Sequence, residues 1–368
     1  MVLTIRDISL HCRRKRFRKH FRKRLLLETN YVPHRYILKT PVTLKKLSDM
    51  LNLSISTISR ALKDHPDISR ETRDKVQELA ATMEYEPNEN AVNLRTNNSK
   101  EFGVIIPAIS NYFYHFFISS LEEEARRYGF TLIILQSGND PAIEQANVKR
   151  CRKARLNGIF ISLTSSTEDI SEILNLEKVN IPVIFFDKVP PFEACNKVCV
   201  GDVHATEIAA DALIQKSKKK ILAIFGDQHL SITQARMKAF TDHMVKHDMQ
   251  KNYSIAHAVN PAQAAATVQK AYRSKLKPDA VFCMSDEILT GVMKVVQIEK
   301  INIPQDMGIV AISDGFIPQL YYPEITYAET SGYKLGKLAF SRMMACLAGT
   351  PFVQNIVADS VLIPGGSI

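Results

Sequence analysis

From Phe102 onward, short apolar runs alternate with longer amphipathic stretches, and this alternation restricts the fold more than any other feature. The apolar runs fall at 103–106, 131–135, 158–162, 183–186, 220–225, 280–284 and 308–312. Most are apolar at successive positions rather than alternate ones, as suits parallel strands covered on both faces. Helical periodicity marks the stretches between them, at 113–128, 142–155, 170–179, 205–216, 233–246, 262–274 and 287–300. Strand and helix in strict turn predict an α/β body built from doubly wound parallel sheets. Such a body of about 260 residues is large for one open sheet, so two similar lobes are expected. A helix at 334–347 and a strand near 357–362 complete the expected body.

Ahead of the body, residues 42–60 read VTLKKLSDMLNLSISTISR, the pattern of two short helices and a tight turn. Leu44, Leu47, Met50 and Leu51 stand at i, i+3, i+6 and i+7, which assigns them to one helical face. Thr43 is placed to cap that helix, and Ser54 to cap the next. Ile58, Ala61 and Leu62 form the inward side of the second helix. Ile55, Ser56, Thr57 and Arg60 form the other side, small and hydrogen-bonding around a single cation. A helix that enters a major groove and brings side chains to base edges needs such a surface. Ser69 caps a third helix with Val76, Leu79, Ala80 and Met83 inward, giving a three-helix helix-turn-helix head at 41–86. A proline break at Tyr85-Glu86-Pro87-Asn88 follows, and 87–101 is expected to be a hinge helix and linker.

The net charge of +10 points toward nucleic acid until it is located. Residues 1–40 hold 12 Lys and Arg against 2 Asp and Glu, while residues 41–98 hold 8 against 9. The surplus therefore lies in the basic run at 13–24. That run reads either as an arm for phosphate backbones or as a disordered extension from an upstream start codon, and the second is favoured. In the head, phosphate contact would rest on Lys45, Lys46, Arg60, Arg73 and Arg95. The six cysteines are scattered, so reduced thiols in the cytoplasm are expected. No apolar run approaches the ~18 residues of a membrane span. The sequence offers no G-x-S-x-G, G-x-G-x-x-G, P-loop or H-E-x-x-H motif, so neither catalysis nor a cofactor or metal is expected.

Together these segments resemble the LacI/GalR family of bacterial transcription regulators. The likeness runs from Val42 toward the C-terminus through VTLKKLSDMLNLSISTISRAL, HPDIS, ETRDKV and YEPN in the head, then GVIIP, ISNYF, RMKAF, PDAVFCMSDE and IPQDMGIVAISD in the body. It implies a periplasmic-binding-protein-like body at 102–368. Its first lobe would span about 102–201 and 330–350, and its second about 202–328 and 354–366. It implies phosphate contacts from Ser54 and Thr57, base contacts from Ile55, Ser56 and Arg60, and a minor-groove hinge carrying Asn88, Ala91 and Leu94. It further implies an effector held by Asn111, Phe113, Tyr114 and Asp187 of the first lobe and by Arg236, Asp286 and Asp314 of the second. An arginine, carboxylates and an aromatic wall suit a polyhydroxylated ligand such as a sugar.

The pattern also departs from the family. Tyr327 stands in EITYAET where a second threonine is frequent, and Leu230 and Ile232 are apolar where some members are polar. A homodimer on a pseudo-palindromic double-stranded DNA operator is expected, with no room for a tetramerising helix after Ile363. Effector binding would reorient the lobes and so couple to operator binding, with either sign open. The alternative is a sugar-binding protein without a regulatory role, which would share the body but have no use for the head.

Overall fold

The computed structural model describes residues 41–87, 99–275, 277–350 and 352–368. The head and the body form separate compact units. In the head, α1 (Leu44–Leu51), α2 (Ile55–Ala61) and α3 (Arg70–Thr82) each start at a hydroxyl cap. Thr43 Oγ1 accepts from Lys46 N at 3.2 Å, Ser54 Oγ from Thr57 N at 3.1 Å and Ser69 Oγ from Thr72 N at 3.3 Å. Asn52 ends α1 in the left-handed region, which asparagine tolerates better than most residues. Leu47, Ile58, Ala61, Val76 and Ala80 make the small core. Met50 is a correction: it is 56% exposed rather than inward. At 100° per residue it lies about 100° from Leu51, beyond the edge of the buried stripe.

The first part of the body runs through β1 (Glu101–Ile106), α4 (Tyr112–Arg127), β2 (Thr131–Gln136), α5 (Pro141–Ala154), β3 (Gly158–Ile161), the single turn α6 (Ser171–Leu174), β4 (Val183–Phe186) and β5 (Asn196–Val200). The second comprises α7 (Asp202–Gln215), β6 (Ile221–Phe225), α8 (Ser231–Lys246), β7 (Tyr253–His257), α9 (Pro261–Tyr272), β8 (Ala280–Cys283), α10 (Asp286–Glu299), β9 (Gly308–Ser313) and β10 (Thr326–Glu329). The last elements are α11 (Gly332–Leu347), β11 (Asn355–Ala358) and β12 (Leu362–Ile363).

Two six-stranded sheets result, in the orders β11-β5-β4-β3-β1-β2 and β12-β10-β9-β8-β6-β7. Every pairing is parallel except β10 with β12. Each sheet is one lobe. The returning helix α11 covers the first sheet and packs on α4, where its glycines permit close approach: a Cβ on Gly336 would stand 2.6 Å from Phe117 O.

Several boundaries differ from expectation. The strand expected near 357–362 is two strands, and 354–366 does not belong to the second lobe alone. β11 pairs with β5 in the first sheet and β12 with β10 in the second. The chain crosses between the lobes there, beside two other crossings. Gly201 N donates to Ala358 O at 3.0 Å and Glu329 N to Val361 O at 2.8 Å. The linker expected to reach residue 101 ends sooner, since β1 already includes Glu101. The helix expected at 170–179 shortens to α6 and a 3-10 turn over Glu177–Val179.

Candidate functional site

Strand ends of the two sheets face each other across a cavity of about 310 Å³. Open parallel sheets leave their binding crevice at the carboxyl ends of the strands. Asn111 follows β1, Asp187 follows β4, Gly226 and Asp227 follow β6, Ser285 and Asp286 follow β8, and Asp314 follows β9. All seven residues expected at an effector line this one cavity: Asn111, Phe113, Tyr114, Asp187, Arg236, Asp286 and Asp314.

Their chemistry differs from a ring of free hydrogen-bonding groups. On the first lobe, Asn111 Oδ1 caps α4 by accepting from Phe113 N at 2.9 Å. Its Nδ2 reaches across to Glu287 Oε1 at 2.7 Å, a direct link between the lobes. Tyr114 is 2% exposed, and its hydroxyl donates to Asp187 Oδ2 at 2.7 Å beside Ser162 Oγ at 2.9 Å. Burial, then the Asp187 charge, hold that phenol well above its ordinary pKa. Asp187 itself adopts a positive φ of 57°, directly after the end of β4.

On the second lobe, Arg236 is a fixed support rather than an open cation. Its Nε and Nη2 both stand 2.7 Å from Asp202 Oδ1, and its Nη1 donates to Met284 O at 2.7 Å. Asp202 was not foreseen, because the strand before it was not read as one. Asp286 accepts from Ser313 Oγ at 2.5 Å and from Asp314 N at 3.3 Å in the cavity wall. Burial, reinforced by Glu287 and Asp314, pushes its carboxyl up to about 7. Asp314 Oδ2 accepts from Gly332 N at 2.6 Å, a second link between lobes, and burial lifts its carboxyl to about 6. Glu287, Asp227, Lys188, Asn139 and Thr330 also line the cavity and were missed. Five carboxylates therefore face two cations, Arg236 and Lys188, and Arg236 is already matched by Asp202.

In the head, the outward side of α2 presents Ser54, Ile55 and Ser56 to solvent with Thr57 half-buried. Ser54 Oγ lies 2.7 Å from Ser56 Oγ and 2.8 Å from Thr57 Oγ1, a compact hydroxyl cluster at the helix start. Ile55 is 48% exposed, so it is no part of the core. Arg60 is exposed and stands only loosely by Asp67, at 4.0 Å. Arg73 is otherwise engaged: it donates to Ile68 O at 3.1 Å and pairs with Asp64 at 3.7 Å, holding the turn between α2 and α3. Asn88, Ala91 and Leu94 lie outside the described residues.

Residues 99–364 match the family described as periplasmic binding proteins and sugar binding domain of LacI family, and residues 43–88 match bacterial regulatory proteins, lacI family. The chain belongs to the LacI family. It is a DNA-binding transcriptional regulator with a ligand-binding body, not an enzyme. Among relatives of this LacI-family regulator, catabolite control protein A of Staphylococcus xylosus is 26% identical over 88% of this chain and 96% of its own length. The repressor PurR of Vibrio cholerae is 22% identical over 82% and 90%. The fold matches the lac repressor dimer bound to operator and an anti-inducer, with a TM-score of 0.79, 18% identity, and coverage of 89% of this chain and 99% of that one. No helix among the described residues is long and apolar enough to cross a membrane.

Proposed function

We propose that this regulator is a cytoplasmic, homodimeric repressor whose operator binding is set by an uncharged polyhydroxylated effector, a sugar or sugar derivative, held between the lobes. The single observation that carries this reading is the interlobe cavity, whose walls hold a surplus of carboxylates and an arginine already neutralised. Carboxylates accept hydrogen bonds from hydroxyl groups, and the charges of Asp187, Asp227 and Glu287, more than those of the raised Asp286 and Asp314, repel phosphates and sugar acids. The relative solved as a cellobiose complex, with a TM-score of 0.65, is consistent with this choice of ligand.

On this reading Asn111 and Asp314 act in both binding and coupling, since each bonds across the lobes and an entering ligand competes for it. Phe113 supplies an apolar face for a sugar ring. Residues 41–86 read the operator through Ile55, Ser56 and Arg60, with Ser54 and Thr57 on phosphates. The segment 87–100, with Asn88, Ala91 and Leu94, acts as the hinge to the effector-binding and dimerising body, and residues 1–40 are an extension without a role in this scheme. A thermal-shift series on the full chain tests the proposal. Neutral mono- and disaccharides should include one that raises the melting temperature and changes operator anisotropy, while the matching sugar phosphates do neither. Stabilisation by the phosphates alone would sink the assignment.

A further inference from the structure

Helices α7 and α8 meet at two places. Near their starts Asp202 holds Arg236 at the cavity. Two turns further along each helix, Asp211 of α7 meets His243 of α8, with Oδ1 and Nε2 2.6 Å apart. His247, which caps the end of α8, brings its own Nε2 to 3.9 Å from the same oxygen. The two imidazole centroids are 4.7 Å apart, and one donor atom from each of the three residues lies within 4.8 Å of the others.

We propose that Asp211, His243 and His247 bind a divalent transition-metal ion of the zinc class, bracing α7 against α8. Two imidazole nitrogens and one carboxylate oxygen are a donor set that zinc takes, with bonds of about 2.0–2.2 Å. Tetrahedral geometry with such bonds sets ligand atoms about 3.3 Å apart. The separations here bracket that distance, and rotation of the exposed His247 ring closes the set. Histidines at i and i+4 project from one face of a helix, so the backbone supplies two of the three ligands in fixed register.

A hydrogen bond alone accounts for less. The Asp211–His243 contact needs no third residue, yet His247 approaches the same oxygen rather than open solvent. The His243 side chain is 8% exposed and therefore held by packing, whereas those of Asp211 and His247 are 40% and 39% exposed. That leaves one open side for a water as fourth ligand. His243 and His247 stand in the last turn and at the cap of α8, where the negative end of the helix dipole favours a cation. Glu207 stands one turn before Asp211 on the same face, and Lys246, the nearest cation in sequence, points to solvent. The same helix pair holds Asp202 and Arg236, so a metal brace would stiffen the second-lobe wall of the cavity.

Calorimetric titration of the metal-stripped full chain with zinc chloride tests the site. One equivalent should bind and raise the melting temperature. His247→Gln, at an exposed position, and Asp211→Asn, which keeps its contact with His243, should each weaken that binding at least about tenfold. Cobalt in place of zinc should give visible absorption bands without thiolate charge-transfer in the near ultraviolet. No binding by the parent chain, undiminished binding by both variants, or a thiolate spectrum would each overturn the assignment.

Discussion

The two walls of the effector cavity are built on the same strand-end geometry and from opposite chemistry. The first lobe offers an aromatic face, and its one acid, Asp187, is occupied by Tyr114. The second lobe offers stacked carboxylates, one arginine matched to Asp202, and two carboxyls displaced toward neutrality. On the proposed reading a sugar lays its apolar ring face on one wall and donates hydroxyls to the other. Two similar sheets have been specialised by the residues after each strand, not by the strands themselves.

Breaking the charged wall should have the largest effect. Arg236→Met leaves Asp202 buried without a partner, so urea denaturation should show a loss of about 3–5 kcal/mol and no effector response. Next is the pH dependence of that wall. Asp286 and Asp314 have an ordinary value near 3.8 and are raised when folded, to about 7 and about 6. Between about pH 4 and 7 the folded chain thus holds more protons than the unfolded chain. Stability should fall as pH rises through this window and level off above it. Asp286→Asn should remove the larger share of that slope, on the order of 4 kcal/mol, in melting curves taken across the pH range. Such a slope persisting in the variant would place the titration elsewhere.

The first wall should respond more gently. Tyr114→Phe keeps the ring and loses the hydroxyl that Asp187 and Ser162 share, costing about 1–2 kcal/mol in denaturant titrations while ligand stacking survives. Asn111→Ala removes the interlobe bond to Glu287 and the cap of α4. A loss of about 1 kcal/mol is expected, together with a shifted effector response, because the lobes lose one contact that a ligand must replace. If Asn111→Ala destabilised the body more than Arg236→Met, the contrast between the walls would be wrong.

Legibility followed the same division. The head could be read almost whole, because hydroxyl caps and a left-handed asparagine are local signals, and only Met50 was placed on the wrong side. The central strands were legible as unbroken apolar runs. β5 was not, since Asn196 and Lys197 are buried polar residues in the middle of a sheet. Asn196 is satisfied from far away, accepting from Arg342 Nε at 2.7 Å and Gln354 N at 3.2 Å, which no local pattern reveals. β7 is a half-exposed edge strand, and β10 carries Thr326 and Glu329 at its ends, so it forms no apolar run. At the cavity, the family pattern pointed to residues that do converge. Which of their atoms are free depends on neighbours such as Asp202 and Glu287, and that information is tertiary. His243 and His247 went unremarked because Asp211 lies 32 residues earlier.

The side-by-side crossings between lobes bear on how the chain is made. Neither lobe is contiguous: the first sheet needs β11 and α11 from the far end of the sequence, after five of the six strands of the second sheet, β6 to β10, have been synthesised. A nascent chain cannot complete its first lobe as it emerges, and pairing β5 with β11 closes a loop of well over a hundred residues. Such long-range contacts slow folding and leave apolar surface uncovered meanwhile. Both sheets, the first begun more than two hundred residues earlier, are completed within a few residues of each other by β11 and β12, which makes this regulator dependent on its final few dozen residues for a body able to respond at all.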